Sequence, residues 1–440
     1  MSNGIQKLRT FDLTIIVISL VIGMGIFRTP SEVASNAGTA QIFFLAWAAG
    51  AIVSYLGAMT FAEIGSRYPT TGGFYKIFSF CYSPVFAFMV NWITVISNAA
   101  STAAVAIMGA EYVAPLIFPQ APETGTQIIA ITSVLLLMGV NLMGIRVSKN
   151  VLNTLMVLKI MLILVLISCA FIVVQQFIGP EAIVDHGIQN RGWLESFLLC
   201  FVPVFFTYGG YQQTMNFGGD VQQASRTIPK AISRGMIIVM VLYMGVNFSY
   251  YSVLGIEGMA SSKTLAADMI GITFGKAASD VLSVFMFFAV MTYLNVSILS
   301  NPRVYYAMAE DKVMPSAFLS TNQRTGVLTT GVLVFCAMIV ATLFFIGSFQ
   351  KILEYVMFFD SISLITAAGA IFLLRKRRVG SSDPEVFNMR GYPLVPIAYI
   401  VVYAGVNISV FIASPSAFGW GALLFLLGFP LFYLLRKVLR

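Results

Sequence analysis

Two short stretches carry peptide groups that an ordinary membrane helix would hide. Val21-Ile22-Gly23-Met24-Gly25-Ile26-Phe27 and Phe206-Thr207-Tyr208-Gly209-Gly210-Tyr211 each place a glycine pair inside an apolar run. Each glycine costs a helix about 1 kcal/mol relative to alanine, so a pair requires a reason. One reason is a close helix-helix contact of the small-residue kind. The other is a break in the helix, and in a bilayer broken backbone is tolerated only where protein buries it or where it lines a wet cavity. Broken at Ile22, Gly23, Met24, Gly25 and Ile26, the first run offers N–H groups and the positive end of a half-helix to a carboxylate. Broken at Phe206, Thr207, Tyr208 and Gly209, the second offers carbonyl oxygens to an ammonium. An α-amino acid carries both charges a few ångströms apart. Two facing breaks therefore read as a zwitterion clamp, with side-chain selectivity left to the surrounding apolar walls.

Two ionisable residues lie within apolar runs. Lys159 is flanked by Leu158 and Ile160, and a cation at that depth costs ~2.5–3.5 kcal/mol on insertion scales, so it must face the bundle and find a partner. It reads either as a coupling residue or as a structural cation bonded permanently to the carbonyls of a helix break. Asp360, nine residues in from Lys351, is a candidate proton site or a lining residue of a water-filled vestibule. No other fixed charge than Lys159 is expected near the pocket, which favours neutral substrates. Glu63 and Arg67 are spaced for an i,i+4 pair at a helix end.

Enzymatic chemistry has no foothold. The single histidine, His186, cannot build a metal cluster, and it reads as a solvated loop residue rather than a pH switch. Nucleophile-elbow and phosphate-loop patterns are missing, and neither a metal nor a cofactor is expected.

The elements that position these groups follow from composition. Hydrophobic residues make up 58% of the 440 positions and charged residues 10%, a balance outside the range of soluble domains. Runs of ~20 apolar residues, the length that crosses a bilayer, occur near 12–30, 40–66, 83–114, 126–144, 150–177, 194–222, 228–255, 276–310, 326–347, 351–375, 391–413 and 416–436. With the N-terminus inside, five of the 26 Lys and Arg (Arg28, Arg191, Lys263, Lys276 and Lys351) fall outside, Lys159 lies within a run, and the rest are cytoplasmic. That bias sets both termini in the cytoplasm and absorbs the net charge of +8 without a nucleic-acid partner. The start, Met1-Ser2-Asn3-Gly4, lacks a cleavable signal pattern. Cys81, Cys169, Cys200 and Cys336 all lie in or beside apolar runs, so no disulfide framework is expected.

Glycine-interrupted helices at matching positions of two halves mark the binding site of inverted-repeat transporters. The breaks fall in the first and sixth runs, giving repeats 1–177 and 194–375 in a core of residues 1–375, with two further helices in 376–440.

Gly23-Met24-Gly25-Ile26-Phe27 resembles a signature of the amino acid-polyamine-organocation (APC) superfamily of transporters. So do Glu63-Ile64-Gly65-Ser66-Arg67-Tyr68-Pro69-Thr70-Thr71-Gly72-Gly73-Phe74-Tyr75, Arg226-Thr227-Ile228-Pro229-Lys230-Ala231-Ile232 and Arg303-Val304-Tyr305-Tyr306-Ala307-Met308-Ala309-Glu310-Asp311. Arg390-Gly391-Tyr392-Pro393-Leu394-Val395-Pro396 completes the set, in family order over nearly the whole chain. Phe206-Thr207-Tyr208-Gly209-Gly210 and Lys159 look most like the L-amino acid transporter (LAT) branch. Met24 stands where the family has a small hydroxyl residue, and Asn301-Pro302 precede Arg303 where it has small residues.

The resemblance implies an all-α polytopic membrane protein of the LeuT type, a 5+5 inverted repeat with twelve transmembrane helices, of which helices 1 and 6 are discontinuous. It implies that Lys159 approaches the first break and takes the place of a sodium ion, and that Phe206 caps the pocket as an outer gate. The expected activity is sodium-independent exchange of small to medium neutral L-amino acids by alternating access. A proton-coupled symporter is the second reading, and a ligand-binding channel or receptor of the same architecture the third. The expected location is the cell (inner) membrane. Animal members of the branch attach to a glycoprotein through a cysteine after helix 3. Residues Tyr112 to Thr126 contain none, so no disulfide-linked heavy chain is expected.

Overall fold

The computed structural model describes residues 8–23, 25–70, 73–144, 154, 157–169, 192–345, 349–413 and 415–438. Met24, His186 and Thr71-Gly72 lie outside these residues. The chain is all-α: no strand forms among the described residues, and one isolated bridge joins Leu8 to Val221. The helices are α1 (Thr10–Val21), α2 (Gly25–Ala37), α3 (Ala40–Arg67), α4 (Gly73–Cys81), α5 (Pro84–Ile117), α6 (Pro122–Met143) and α7 (Val157–Cys169). Then come α8 (Trp193–Leu199), α9 (Phe201–Tyr208), α10 (Ala224–Ser261), α11 (Leu265–Phe274), α12 (Lys276–Ser300), α13 (Pro302–Glu310), α14 (Thr329–Phe345), α15 (Phe349–Lys376), α16 (Leu394–Ala413) and α17 (Pro415–Val438).

Local chemistry sets where several of these begin. Ser83 accepts from the Phe86 N–H at 3.2 Å and Pro84 opens α5, a side-chain cap followed by a residue with no N–H to strand. Thr39 caps α3 in the same way, from Ile42. Asn301, still in right-handed helical conformation, divides α12 from α13, which Pro302 opens.

Eight helices are long and apolar enough to cross a membrane among the described residues, and a ninth span is the pair α1 and α2, bent by 42° at the first break. The shorter apolar stretches Val157–Cys169, Thr329–Phe344 and Leu394–Ile408 fall in the windows of the fifth, ninth and eleventh runs. The first run extends past its expected end, to Ala37. The sixth departs more: beyond its glycine pair it continues as two 3₁₀ turns, Tyr211–Asn216 and Gly218–Asp220, and not as α-helix. The spans sort by burial. In α5 83% of the apolar window is buried inside the protein, against 17% in α17, so α5 forms the interior of the bundle and α17 its lipid-facing flank. Trp193 and Trp420 are exposed near the starts of their helices, where an amphipathic ring can sit at a membrane interface.

The C-terminal end of α3 is a basic end, where Arg67 and Arg375 gather around Glu63. The Glu63 carboxylate, fully buried, accepts from Arg67 Nε at 2.6 Å, from Arg375 Nε and NH2 at 2.7 Å each, and from the Met389 N–H at 2.9 Å. Arg67 in turn donates to the Val379 carbonyl at 3.0 Å and to Asn388, and Arg375 stacks over the Tyr392 ring at 3.8 Å. The i,i+4 pair read from the sequence is therefore one corner of a clasp that ties α3 to α15 and to the segment before α16. A second tie lies nearby, where the Ser225 hydroxyl and the Glu385 N–H donate to Asp383 and hold its carboxyl below the usual carboxylate range.

Removing one partner of a buried pair strands the other charge, at a cost of about 3–5 kcal/mol. Glu63→Ala is expected to lower the thermal midpoint of the detergent-solubilised protein sharply. Arg226→Ala, which loses only an exposed pair with Glu385 at 3.4 Å, is expected to change it little. Equal midpoints for the two variants would contradict this account of the clasp.

Candidate functional site

At the first break the helical hydrogen bonds run out within three residues. The Ile22 N–H still reaches Ile18 O at 2.8 Å, while the Gly23 N–H turns back to Val21 O at 2.7 Å. Gly23, expected to present a free N–H, is thus satisfied by a tight local turn. The Ile22 carbonyl accepts from Lys159 Nζ, which is buried. The Val21 carbonyl accepts a further bond from the Tyr243 hydroxyl at 2.8 Å. The chain becomes helical again at Gly25, and the first N–H groups of a helix have no partner within it.

At the second break α9 ends at Tyr208. The Gly209 N–H donates to Phe206 O at 3.2 Å, and Gly210, at φ +108°, donates to Gln212 Oε1 at 2.8 Å. The Gly210 carbonyl accepts from the Gln213 N–H at 3.0 Å, which starts the 3₁₀ turn.

The two breaks interlock. A Cβ on Gly25 would lie 2.8–2.9 Å from Thr207, and one on Gly210 would lie 2.7 Å from the Leu20 carbonyl carbon. Each break thus leans its glycine on the backbone region of the other. The Thr29 and Thr207 hydroxyls bond across the contact, and the Tyr243 hydroxyl reaches Thr207 O at 3.3 Å as well as Val21 O. Both readings of the glycine pairs hold, divided between residues. Gly25 and Gly210 make the close contact, and all four glycines border a cavity.

That cavity, about 50 Å³, is lined from the breaks by Gly23, Gly25, Phe206, Thr207, Gly209 and Gly210. Its other walls come from Asn98 and Ser101 of α5, Tyr293 of α12, Gln212 and Gln213 after the second break, and Asp360 of α15. It has room for a few waters, so admitting a larger guest requires the breaks to part. A neighbouring cavity of about 30 Å³ shares Asn98, Gln212, Gln213 and Asp360 with it and is also lined by Asn216 and Phe74. A larger cavity of about 530 Å³ opens between Asp220, Arg303 and Glu310, but it touches neither break and lacks their backbone groups.

Not every expected residue lines the cavity with its side chain. Ile22 and Ile26 are fully buried and do not line the cavity. The Tyr208 side chain packs against Trp47 and Tyr243, turned toward α3 and α10. Lys159 supports the break without lining the cavity, whereas Asp360 does line it, held by the Ser97 hydroxyl at 2.8 Å. The expectation that no fixed charge but Lys159 stands near the pocket is therefore corrected. The contact of α15 with α5 carries Asp360 to the cavity wall. Tyr243 and Thr29 were missed because nothing in their local sequence distinguishes them. Asn98 and the Gln212-Gln213 pair were missed as well, although polar residues in or beside apolar runs are a signal that could have marked them.

A model of the amino acid permease family matches residues 8–433. The chain is 27% identical to the serine/threonine exchanger SteT of Bacillus subtilis (strain 168), over 99% of this chain and 98% of that protein. It is 24% identical to the human Asc-type amino acid transporter 1, over 95% of this chain and 80% of that one. To the human large neutral amino acids transporter small subunit 2 it is also 24% identical, over 95% and 78% of the two chains.

Steric room ranks the glycines. A Cβ at Gly23 meets nothing closer than the Tyr293 ring at 3.6 Å, whereas Gly210 combines a positive φ with backbone contact, a strain of about 1–3 kcal/mol before any clash. Binding of ligand by purified variants is expected to fall in the order Gly23→Ala, Gly25→Ala, Gly210→Ala, the last losing it. Gly210→Ala binding as well as Gly23→Ala would contradict the interlock.

Proposed function

The chain belongs to the amino acid permease family, and on that premise we propose that it is a sodium-independent exchanger of small to medium neutral L-amino acids, working by alternating access. The observation that carries the reading is the pairing of two interrupted helices around one polar cavity. The start of α2 offers the positive end of a half-helix to the substrate carboxylate. The carbonyls at the end of α9 offer their second lone pairs to its ammonium. Phe206, half-buried on the cavity wall, serves as the gate. The moving parts are the two five-helix repeats, 1–177 and 194–375, with both termini in the cytoplasm.

Sodium independence draws on Lys159. A buried ammonium bonded to the Ile22 carbonyl supplies, covalently tethered, the positive charge that a bound cation would otherwise bring to an open turn of backbone. Exchange as the mode draws on the exchanger among the relatives. Proton symport is the second mode, and it draws on Asp360, the carboxylate on the cavity wall.

Two measurements in proteoliposomes test this. Counterflow driven by internal substrate is expected to exceed uptake driven by an imposed pH gradient, and the reverse result would favour symport. Wild-type uptake is expected to be unchanged when sodium is removed, while Lys159→Ala transports poorly with or without it. Strong sodium dependence of the wild type would refute the role given to Lys159. Competition against L-alanine and L-leucine sets the size limit of the substrate.

A further inference from the structure

Asp360 is the part of the site that a zwitterion clamp leaves unused. Backbone groups of the two breaks suffice for an α-carboxylate and an α-ammonium. Yet the same cavity carries a carboxylate, with the amides of Asn98, Gln212 and Gln213 beside it. The Ser97 hydroxyl donates to one oxygen of Asp360 at 2.8 Å, which fixes the side chain at the contact of α5 and α15. A carboxylate has about four acceptor positions, and Ser97 fills one. Asp360 lines this cavity and also borders the smaller neighbouring one, so it stands where the two meet. A guest with an apolar side chain would press against this wall and leave its acceptors without donors, which is costlier than never having made the bond.

We propose that Asp360 is a specificity-determining residue: it accepts a hydrogen bond from a hydroxyl or amide on the substrate side chain. The transporter thereby selects amino acids of the serine, threonine and asparagine kind over apolar ones of equal size. The inference rests on the transporter reading above and narrows it.

L-Threonine and L-valine differ by a hydroxyl for a methyl at nearly equal volume, so their ratio in competition for proteoliposome uptake reads this contact. The wild type is expected to favour threonine roughly ten- to hundred-fold, the range of a hydrogen bond to a charged group, and Asp360→Ala to bring the ratio within about twofold. Asp360→Asn, an acceptor without charge, is expected between them. Ser97→Ala, which leaves the carboxylate present but loosely held, is expected to lower the ratio. The ratio is taken within each variant, so differences in expression cancel, and thermal-shift titration of the purified variants with both amino acids supplies it where uptake is too weak. Equal use of threonine and valine by the wild type overturns the proposal, as does an unchanged ratio in Asp360→Ala. Lysine or ornithine outcompeting threonine would make Asp360 a site for a cationic side chain. Loss of pH-driven uptake in Asp360→Asn at an unchanged ratio would make it a proton site, and either result overturns the proposal. Wild-type proteoliposomes that take up no amino acid at all would defeat the transporter reading itself.

Discussion

In hydrocarbon every peptide N–H and C=O must find a partner inside the protein, and the centre of this molecule is built around the places where helices fail to provide one. At the first break the partners are a turn at Gly23, the Tyr243 hydroxyl and the Lys159 ammonium. At the second they are a Gln212 side chain and the onset of a 3₁₀ turn. These are partial solutions. They draw on side chains from α7 and α10 and on local turns, each able to release its backbone group more readily than an unbroken helix could. A break stabilised in this way is rigid enough to persist and loose enough to exchange its partners for those of a guest.

The same economy governs how the parts move. Gly210 meets the backbone of Leu20 directly, and Gly25 meets the Cα and side chain of Thr207, contacts with little slack to absorb displacement. Small shifts at one break must therefore be felt at the other. The Glu63 clasp works against this freedom at the basic end, where two guanidinium groups and a backbone N–H saturate a single carboxylate. Opening on that side either carries α3 and α15 together or breaks a buried charge cluster. The amino acid permease family assignment and the all-α, LeuT-type, multi-span fold agree with a bundle organised in this way.

Much of this was readable in the sequence where a residue violates its surroundings. Glycines in an apolar helix and a lysine between Leu158 and Ile160 both carry a cost that demands an explanation, and both lead to the breaks. What could not be read is the distance partner. Glu63 to Arg67 is one helical turn, but Arg375 and Met389 are 312 and 326 residues from Glu63, and only the fold brings them in. Tyr243 was invisible because a tyrosine in an apolar helix is ordinary, and the packing of the Tyr208 ring on Trp47 and Tyr243 depends on helices distant in the chain. Asp360 was recognised as costly, yet whether it faced a vestibule or the site depended on how α15 packs on α5.

A tethered cation differs from a bound ion in one respect that matters for energetics: it cannot leave. An ion held at a helix break is drawn from solution, so its gradient enters the transport cycle through mass action. A side-chain amine of α7 bonded to the Ile22 carbonyl is part of the chain and brings no ion gradient with it. The Lys159 bond to the first break therefore needs no cation from solution. Lys159 and Asp360 then divide the work between them. One stabilises the turn of backbone from behind and stays out of the cavity, and the other faces the cavity and meets whatever enters.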